Sequence, residues 1–328
     1  MQIALFCQTH QLPRLVSLQR HWLFDHDMAT TEQGCARMFI VKVVGRGDDY
    51  SVEVLRQQLA IIGIEMRRAN PPPFAKDRPL LGMGIVAPGD VGVPTGWSAP
   101  AQMVLDTPLL DPQMRTWTGV HVVPEGWVLE SNASETGRAW AWLAELMSLT
   151  DAEADALVAA SPPGANDAMA VVGARRMTAH AMSAGVGALT MPLPLVMSAP
   201  SRGDLLRSVM ESIAYAIRAN IEQLEEVSGR NADRVAIGGG MSRGPLPRIL
   251  ADVLGRPIEV ARAPETSAIG AAILTAVAVG IHPSLEAAIE AMAGGRATIQ
   301  PDPAVSAAYD DLYDRWCAMA DELASGLL

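Results

Sequence analysis

The chain has 328 residues, 49% hydrophobic and 19% charged, with a formal net charge of −11. That length can bury a full core and carry two domains, or one large domain with an appendage, and the acidic balance excludes a dominant nucleic-acid role, which calls for a basic surface. Cys7, Cys35 and Cys317 form neither a disulfide framework nor a C-x-x-C metal pair. No apolar run approaches the roughly 20 residues of a membrane span, and the first residues lack a signal peptide's basic, apolar and small-residue order, so a soluble, reducing, cytoplasmic setting is expected.

The charge is unevenly spread. Residues 1–78 hold 10 Lys+Arg against 8 Asp+Glu, whereas the remaining 250 hold 15 against 28. Both lysines, Lys42 and Lys76, also fall in the first segment. The composition change divides the chain into an irregular segment, 1–78, without a recognisable motif, and a domain, 79–328.

In chain order, 38–44 reads as a strand and 51–66 as a helix with Val54, Leu55, Leu59 and Ile62 on one face. Asn70-Pro71-Pro72-Pro73 then stops any regular element. Strands at 91–94 and 101–105 flank a tight turn at Gly96, and strands at 120–123 and 127–130 flank Pro124-Glu125-Gly126. Helical spacing follows at 135–149 and 152–160, before Ser161-Pro162-Pro163-Gly164 breaks the chain. The longest helix is predicted over 204–228, with Leu206, Val209, Met210, Ile213, Ile217, Ile221 and Leu224 as one buried stripe. Asp204 is expected to cap it and Gly229 to end it, while Glu211 and Arg218 read as exposed charges. Strands at 234–237 and 258–260 alternate with helices at 245–254, 266–279 and 283–292, and a last helix covers 303–323. Hairpins followed by alternating strands and helices predict an α/β layered domain.

The sharpest local pattern is a strand running into Gly238-Gly239-Gly240, followed by a helix. Glycines let a backbone approach a planar or phosphorylated ligand closely, although a strand-to-helix turn without a ligand has the same sequence. G-x-G-x-x-G fails at Arg243, and no G-x-x-x-x-G-K-[ST] occurs. The second pattern is Gly96-Trp97-Ser98, a hairpin tip offering N–H groups and a hydroxyl to phosphate oxygens, or simply a structural turn.

Taken together and in this order, LLGMGIVAPGDVGVPTGWSAP, VVPEGWVLES with ETGRAWAWL, IGGGMSRGPLPRILADVLGRPIEV, APETSAIGAAILTAVAVGIHPSLEAAI and PDPAVSAAYDDLYDRW carry a resemblance. From Leu80 onward the chain resembles the C-terminal domain of the FGGY carbohydrate kinases, members of the actin-like ATPase superfamily. The resemblance implies an actin-like (ribonuclease H-like) ATPase domain with a mixed sheet and flanking helices. It further implies ATP and Mg2+ as cofactors and phosphoryl transfer to a hydroxyl of a small-molecule sugar or polyol. Gly238, Gly239, Gly240, Met241 and Ser242 would line adenine and ribose, Gly96 and Ser98 would face the phosphates, and Gly137 would lie near the nucleotide. The turn departs from the family where Trp97 replaces its central Thr. Glu265 matches a family acidic position and equally reads as a carboxylate at a helix start.

The family's catalytic base is an aspartate just ahead of the L-L-G-M-G segment. Asp77 stands there, two residues closer than the pattern, and between Lys76 and Arg78 it also reads as a solvated carboxylate. No D-x-G-[ST] phosphate loop of the family's N-terminal lobe occurs in 1–78. The expectation is therefore a truncated kinase retaining the nucleotide-binding lobe; the alternative is a non-catalytic remnant or nucleotide-binding interaction module. An exposed apolar face near the Gly96 and Gly240 loops would favour a second copy or a partner subunit.

Overall fold

In a computed structural model of the chain, the backbone of residues 25–32 and 35–42 and all atoms of residues 78–179 and 185–325 are described. The predicted helix at 51–66 and Asp77 lie outside these residues. The chain divides into two compact units, Met1–Lys76 with Val122–Pro124, and Asp77–His121 with Glu125–Leu328. In the first, β1 (Asp25–Glu32) and β2 (Cys35–Lys42) form an antiparallel hairpin running from Asp25↔Lys42 to Glu32↔Cys35.

The larger unit opens with a short helix, α1 (Arg78–Met83), which sequence periodicity was too brief to show. Two antiparallel hairpins follow, β3 (Asp90–Pro94) with β4 (Pro100–Leu105) and β5 (Trp117–Val120) with β6 (Trp127–Asn132). The β5 strand lies three residues earlier than its spacing suggests. Register pairs Val120 with Trp127, and His121 N–H donates to Gly126 O at 3.0 Å, so 121–126 form the connection rather than strand. Then come α2 (Thr136–Leu146), α3 (Asp151–Ala160), the small ladder β7 (Met169–Val171) with β8 (Ala188–Thr190), and the turn α4 (Leu195–Ser198). After the long helix α5 (Arg202–Ser228) the chain alternates: β9 (Arg234–Gly238), α6 (Leu246–Leu254), β10 (Ile258–Ala261), α7 (Thr266–Ala278). It closes with α8 (Leu285–Met292), β11 (Arg296–Ile299) and α9 (Pro303–Ser325).

The seven-stranded sheet has the order β11-β10-β9-β3-β4-β6-β5. The β3–β9 and β9–β10 pairs are parallel and the others antiparallel, a mixed sheet as expected. Alternation along its strands feeds two cores. Val91, Val93, Met103, Leu129, Val235 and Ile237 join the large core with α5, α6 and α9, while Val104, Val128 and Ala236 meet Leu80, Met83 and Ile85 on the other face. On that second face α1 and α7 approach closely because neither carries a side chain at the crossing. A Cβ on Gly82 would lie 2.1 Å from Thr266 O, and one on Gly270 1.9 Å from Arg78 O.

All seven stripe residues of α5 are buried, and Gly229 ends the helix in the left-handed conformation, φ 67°. The start differs from expectation. Ser201, not Asp204, is the N-cap; its hydroxyl accepts from Asp204 N at 3.1 Å while the Asp204 carboxylate accepts from Ser201 N at 2.8 Å. Such a reciprocal box satisfies two helix-end donors. Glu211 is not an exposed charge either: it is 2% exposed and accepts from Arg207 Nε at 2.7 Å, Tyr309 OH at 2.8 Å and Gly164 N at 3.0 Å. The helical period gives Glu211 a polar face, yet α5 is enclosed almost all round. Arg218 is likewise a tie between elements, donating to Glu222, to Asp310 and to Val253 O, with its guanidinium 4.1 Å above the Tyr313 ring.

Candidate nucleotide site

The C-terminal ends of β3, β9 and β10 share one edge of the sheet, together with the end of β6 and the starts of β4, β5 and β11. Ligands of open α/β sheets bind beyond the carboxyl ends of such strands. The register Pro94↔Gly238 brings the two glycine patterns together at this edge. Thr95, fully buried, stitches them: its N–H and its Oγ1 both donate to Gly238 O, at 2.6 and 2.8 Å, and its own carbonyl accepts from Met241 N at 3.3 Å. Sequence reasoning passed over Thr95, although a hydroxyl residue directly ahead of the Gly96 turn was its signal.

The glycines divide by what surrounds them. A Cβ on Gly238 would meet Thr266 Cγ2 at 2.5 Å, and one on Gly137 would meet Gly96 O at 2.0 Å, so both positions are small because the protein packs against them. Gly239 has φ +107°, and a Cβ there would strike Thr95 O at 2.3 Å. Around Gly96 and Gly240, by contrast, a Cβ would meet nothing within 4 Å. These two open backbone faces are where another molecule can come close.

Among the side chains, Trp97 stands 64% exposed beside Gly96, Ser98 and Met241 are half-buried, and Ser242 is buried. The Ser242 hydroxyl, within the short turn Gly240–Arg243, donates to Gly239 O at 2.7 Å. Gly240 to Gly244 also has the form G-x-S-x-G of a nucleophile elbow, but this hydroxyl is buried and spent on a backbone carbonyl. Glu265 precedes α7, makes no side-chain cap, and faces Arg243 at 3.4 Å. Helix α2 is anchored on the turn by Arg138 N–H donating to Trp97 O at 3.3 Å.

Two clefts adjoin the stitched loops. On the β10–β11 side, a groove of about 440 Å3 is lined by Ser242, Arg243, Arg262, Pro264 and Arg296. On the β5–β6 side, a smaller cleft of about 160 Å3 is lined by Trp97, Ser98, Trp117, Asn132, Ser134 and Arg175. The larger lies within the roughly 300–1,000 Å3 typical of ligand pockets, and its arginines suit an anionic ligand. Among the described residues no group of three or more His, Cys, Asp or Glu gathers to hold a metal ion. The large exposed apolar side chains are most frequent away from the loops, at Val186, Leu193, Leu195, Val196 and Met197, with Trp97 beside the turn itself.

Comparison with known proteins places the chain in a family. The C-terminal domain model of the FGGY family of carbohydrate kinases matches residues 98–279. The autoinducer-2 kinase of Salmonella paratyphi A is 28% identical over 256 residues, 73% of this chain and 47% of that protein. That of Yersinia enterocolitica is 29% identical over 255 residues, with the same shares. Among solved structures, the xylulose kinase from Rhodospirillum rubrum is 28% identical with a TM-score of 0.63, covering 76% of this chain and 50% of that one. The Plasmodium falciparum glycerol kinase with ADP has a TM-score of 0.64 over the same shares at 16% identity, a likeness of fold alone. The chain spans about half the length of the curated relatives it matches. Its mixed sheet with flanking helices is the actin-like ATPase architecture of these sugar-kinase neighbours.

Proposed function

This chain belongs to the FGGY family of carbohydrate kinases, through the family's C-terminal domain, and on that premise we propose that it supplies the ATP-binding lobe for phosphoryl transfer to a hydroxyl of a sugar or polyol. The observation that carries the reading is the Thr95 stitch, which sets the open faces of Gly96 and Gly240 side by side at the carboxyl ends of the strands. In this reading Gly96 and Ser98 approach the phosphates, while Gly238, Gly239, Gly240, Met241 and Ser242 wall the nucleoside, with Gly137 holding α2 against the turn. ATP supplies the γ-phosphoryl group, the acceptor oxygen takes it, ADP leaves, and the acceptor's proton passes to a carboxylate, for which Asp77 is the proposed base. For the Mg2+ that such chemistry uses, no group of three or more His, Cys, Asp or Glu gathers among the described residues. No described helix is long and apolar enough to cross a membrane, and a cytoplasmic setting without nucleic-acid or membrane partners belongs to the same proposal.

A second reading, a nucleotide-binding module without acceptor phosphorylation, draws on the tryptophan in place of threonine at position 97 and on the offset of Asp77. Turnover separates the two. The 328-residue chain, given ATP and Mg2+, is expected to release ADP only when a pentose, hexose or polyol is added. Asp77→Asn should lower that rate by about 10²–10⁴-fold at unchanged ATP affinity. ATP bound but never consumed with any acceptor would favour the second reading.

A further inference from the structure

The smaller cleft has a composition unlike the nucleotide groove. It places two indoles, Trp97 and Trp117, among the hydroxyl and amide groups of Ser98, Ser134 and Asn132, with one cation, Arg175. At about 160 Å3 it is well below the roughly 300–1,000 Å3 of an ordinary ligand pocket, a size nearer to one small ring than to a nucleotide. It shares Trp97 and Ser98 with the Gly96 turn, and its occupant would therefore sit beside the arriving phosphates.

The polar wall is built rather than incidental. Asn220, fully buried on α5, accepts from Ser131 Oγ at 2.5 Å and Met177 N at 3.0 Å, and donates to Arg175 O at 2.9 Å. Gln223, also buried, donates to Ser131 Oγ at 2.9 Å and Met177 O at 3.0 Å. These bonds lock the end of β6 against the 175–178 segment. Asn132 Oδ1 accepts from Ser134 N at 2.9 Å, whereas its amide nitrogen makes only a 3.5 Å contact with Glu130, leaving donor capacity on the cleft wall. A flat apolar surface flanked by amides and hydroxyls matches a ligand with one C–H face and a girdle of hydroxyls.

We infer that this cleft is a monosaccharide subsite in which the indole of Trp97 supports the C–H face of a sugar ring and the Asn132 amide bonds its hydroxyls. The subsite favours cyclic sugars over open-chain polyols, because an aromatic shelf rewards a rigid apolar face. The identification of its occupant as the phosphoryl acceptor rests on the kinase reading above; the binding itself does not.

D-xylose and xylitol make a matched pair, five carbons closed into a ring or left open. Saturation-transfer NMR on the full chain without nucleotide is expected to show D-xylose binding at least about tenfold tighter than xylitol. Trp97→Ala should remove that preference and Trp97→Phe should largely restore it, with the fold intact because the side chain is 64% exposed. Equal binding of ring and chain, or D-xylose binding unmoved by Trp97→Ala, overturns the subsite, as does loss of ATP affinity rather than sugar affinity in that variant. An ATP titration of the same samples keeps the two claims apart. ATP binding without ring preference sinks the subsite alone, whereas ring preference without ATP binding sinks the nucleotide reading alone.

Discussion

Gly239→Ala is expected to damage fold and site together, lowering stability by about 3 kcal/mol or more and abolishing measurable ATP binding. Gly239 occupies a backbone region, φ 107° and ψ −180°, that is essentially closed to residues with a Cβ. The added methyl would also lie 2.3 Å from Thr95 O and 2.7 Å from Thr95 C, backbone atoms that cannot swing aside. Relief would require parting β9 from the β3–β4 turn and would break the bonds from Thr95 to Gly238 O and from Met241 to Thr95 O. Gly240→Ala, one residue further on, meets nothing within 4 Å and should leave the melting temperature unchanged. Thermal melts of the two variants read the contrast directly. Equal stability would show that the stitched loops do not hold the edge of the sheet.

The second large effect lies away from the site. Arg207→Met should cost about 3–5 kcal/mol, because it strands a buried carboxylate. Arg207 is 8% exposed and donates to Glu211, to Tyr309 OH at 2.8 Å, and to the carbonyls of Val158 and Ser161 at 3.1 and 2.8 Å. Burial pushes the Glu211 carboxyl up even with this cation beside it. A carboxyl raised in the folded state penalises folding as pH rises past its unfolded value near 4.5 and ceases to do so once protonated. The loss in Arg207→Met is therefore greatest at neutral pH and shrinks toward pH 4. Arg207→Met combined with Glu211→Met should be more stable than Arg207→Met alone, since a pair replaced together leaves no orphan charge. Chemical denaturation of the single and double variants at pH 7 and pH 5 tests both statements, and a double variant less stable than the single would contradict them.

The seven-residue stripe of α5 and the helix-ending Gly229 were legible because period and punctuation are local properties. The turn at Gly96 and the run Gly238-Gly239-Gly240 were legible as turns for the same reason, as glycines directly after strands. What escaped depends on contacts distant in sequence. Thr95 matters through a carbonyl 143 residues away. Gly238 and Gly137 read as ligand-facing glycines, yet their Cβ positions are filled by Thr266 and by the Gly96 carbonyl. Glu211 read as solvent-facing because its partners lie on α5 itself, on the chain turn at Gly164 and on α9, and no spacing rule joins these. The small cleft escaped altogether. Trp97, Asn132 and Arg175 come together only when the β3–β4 turn, the end of β6 and the segment after β7 meet at one edge.

The proposed function requires that the nucleotide approach over the open backbone face of Gly240. Isothermal titration of ATP into the full chain and into Gly240→Val measures this most directly, with a thermal melt of each. The predicted result is saturable binding by the parent chain, weakened at least about tenfold in Gly240→Val at an unchanged melting temperature. Parent chain that takes up no ATP, or a valine variant that binds it as the parent does, would contradict this approach of the nucleotide.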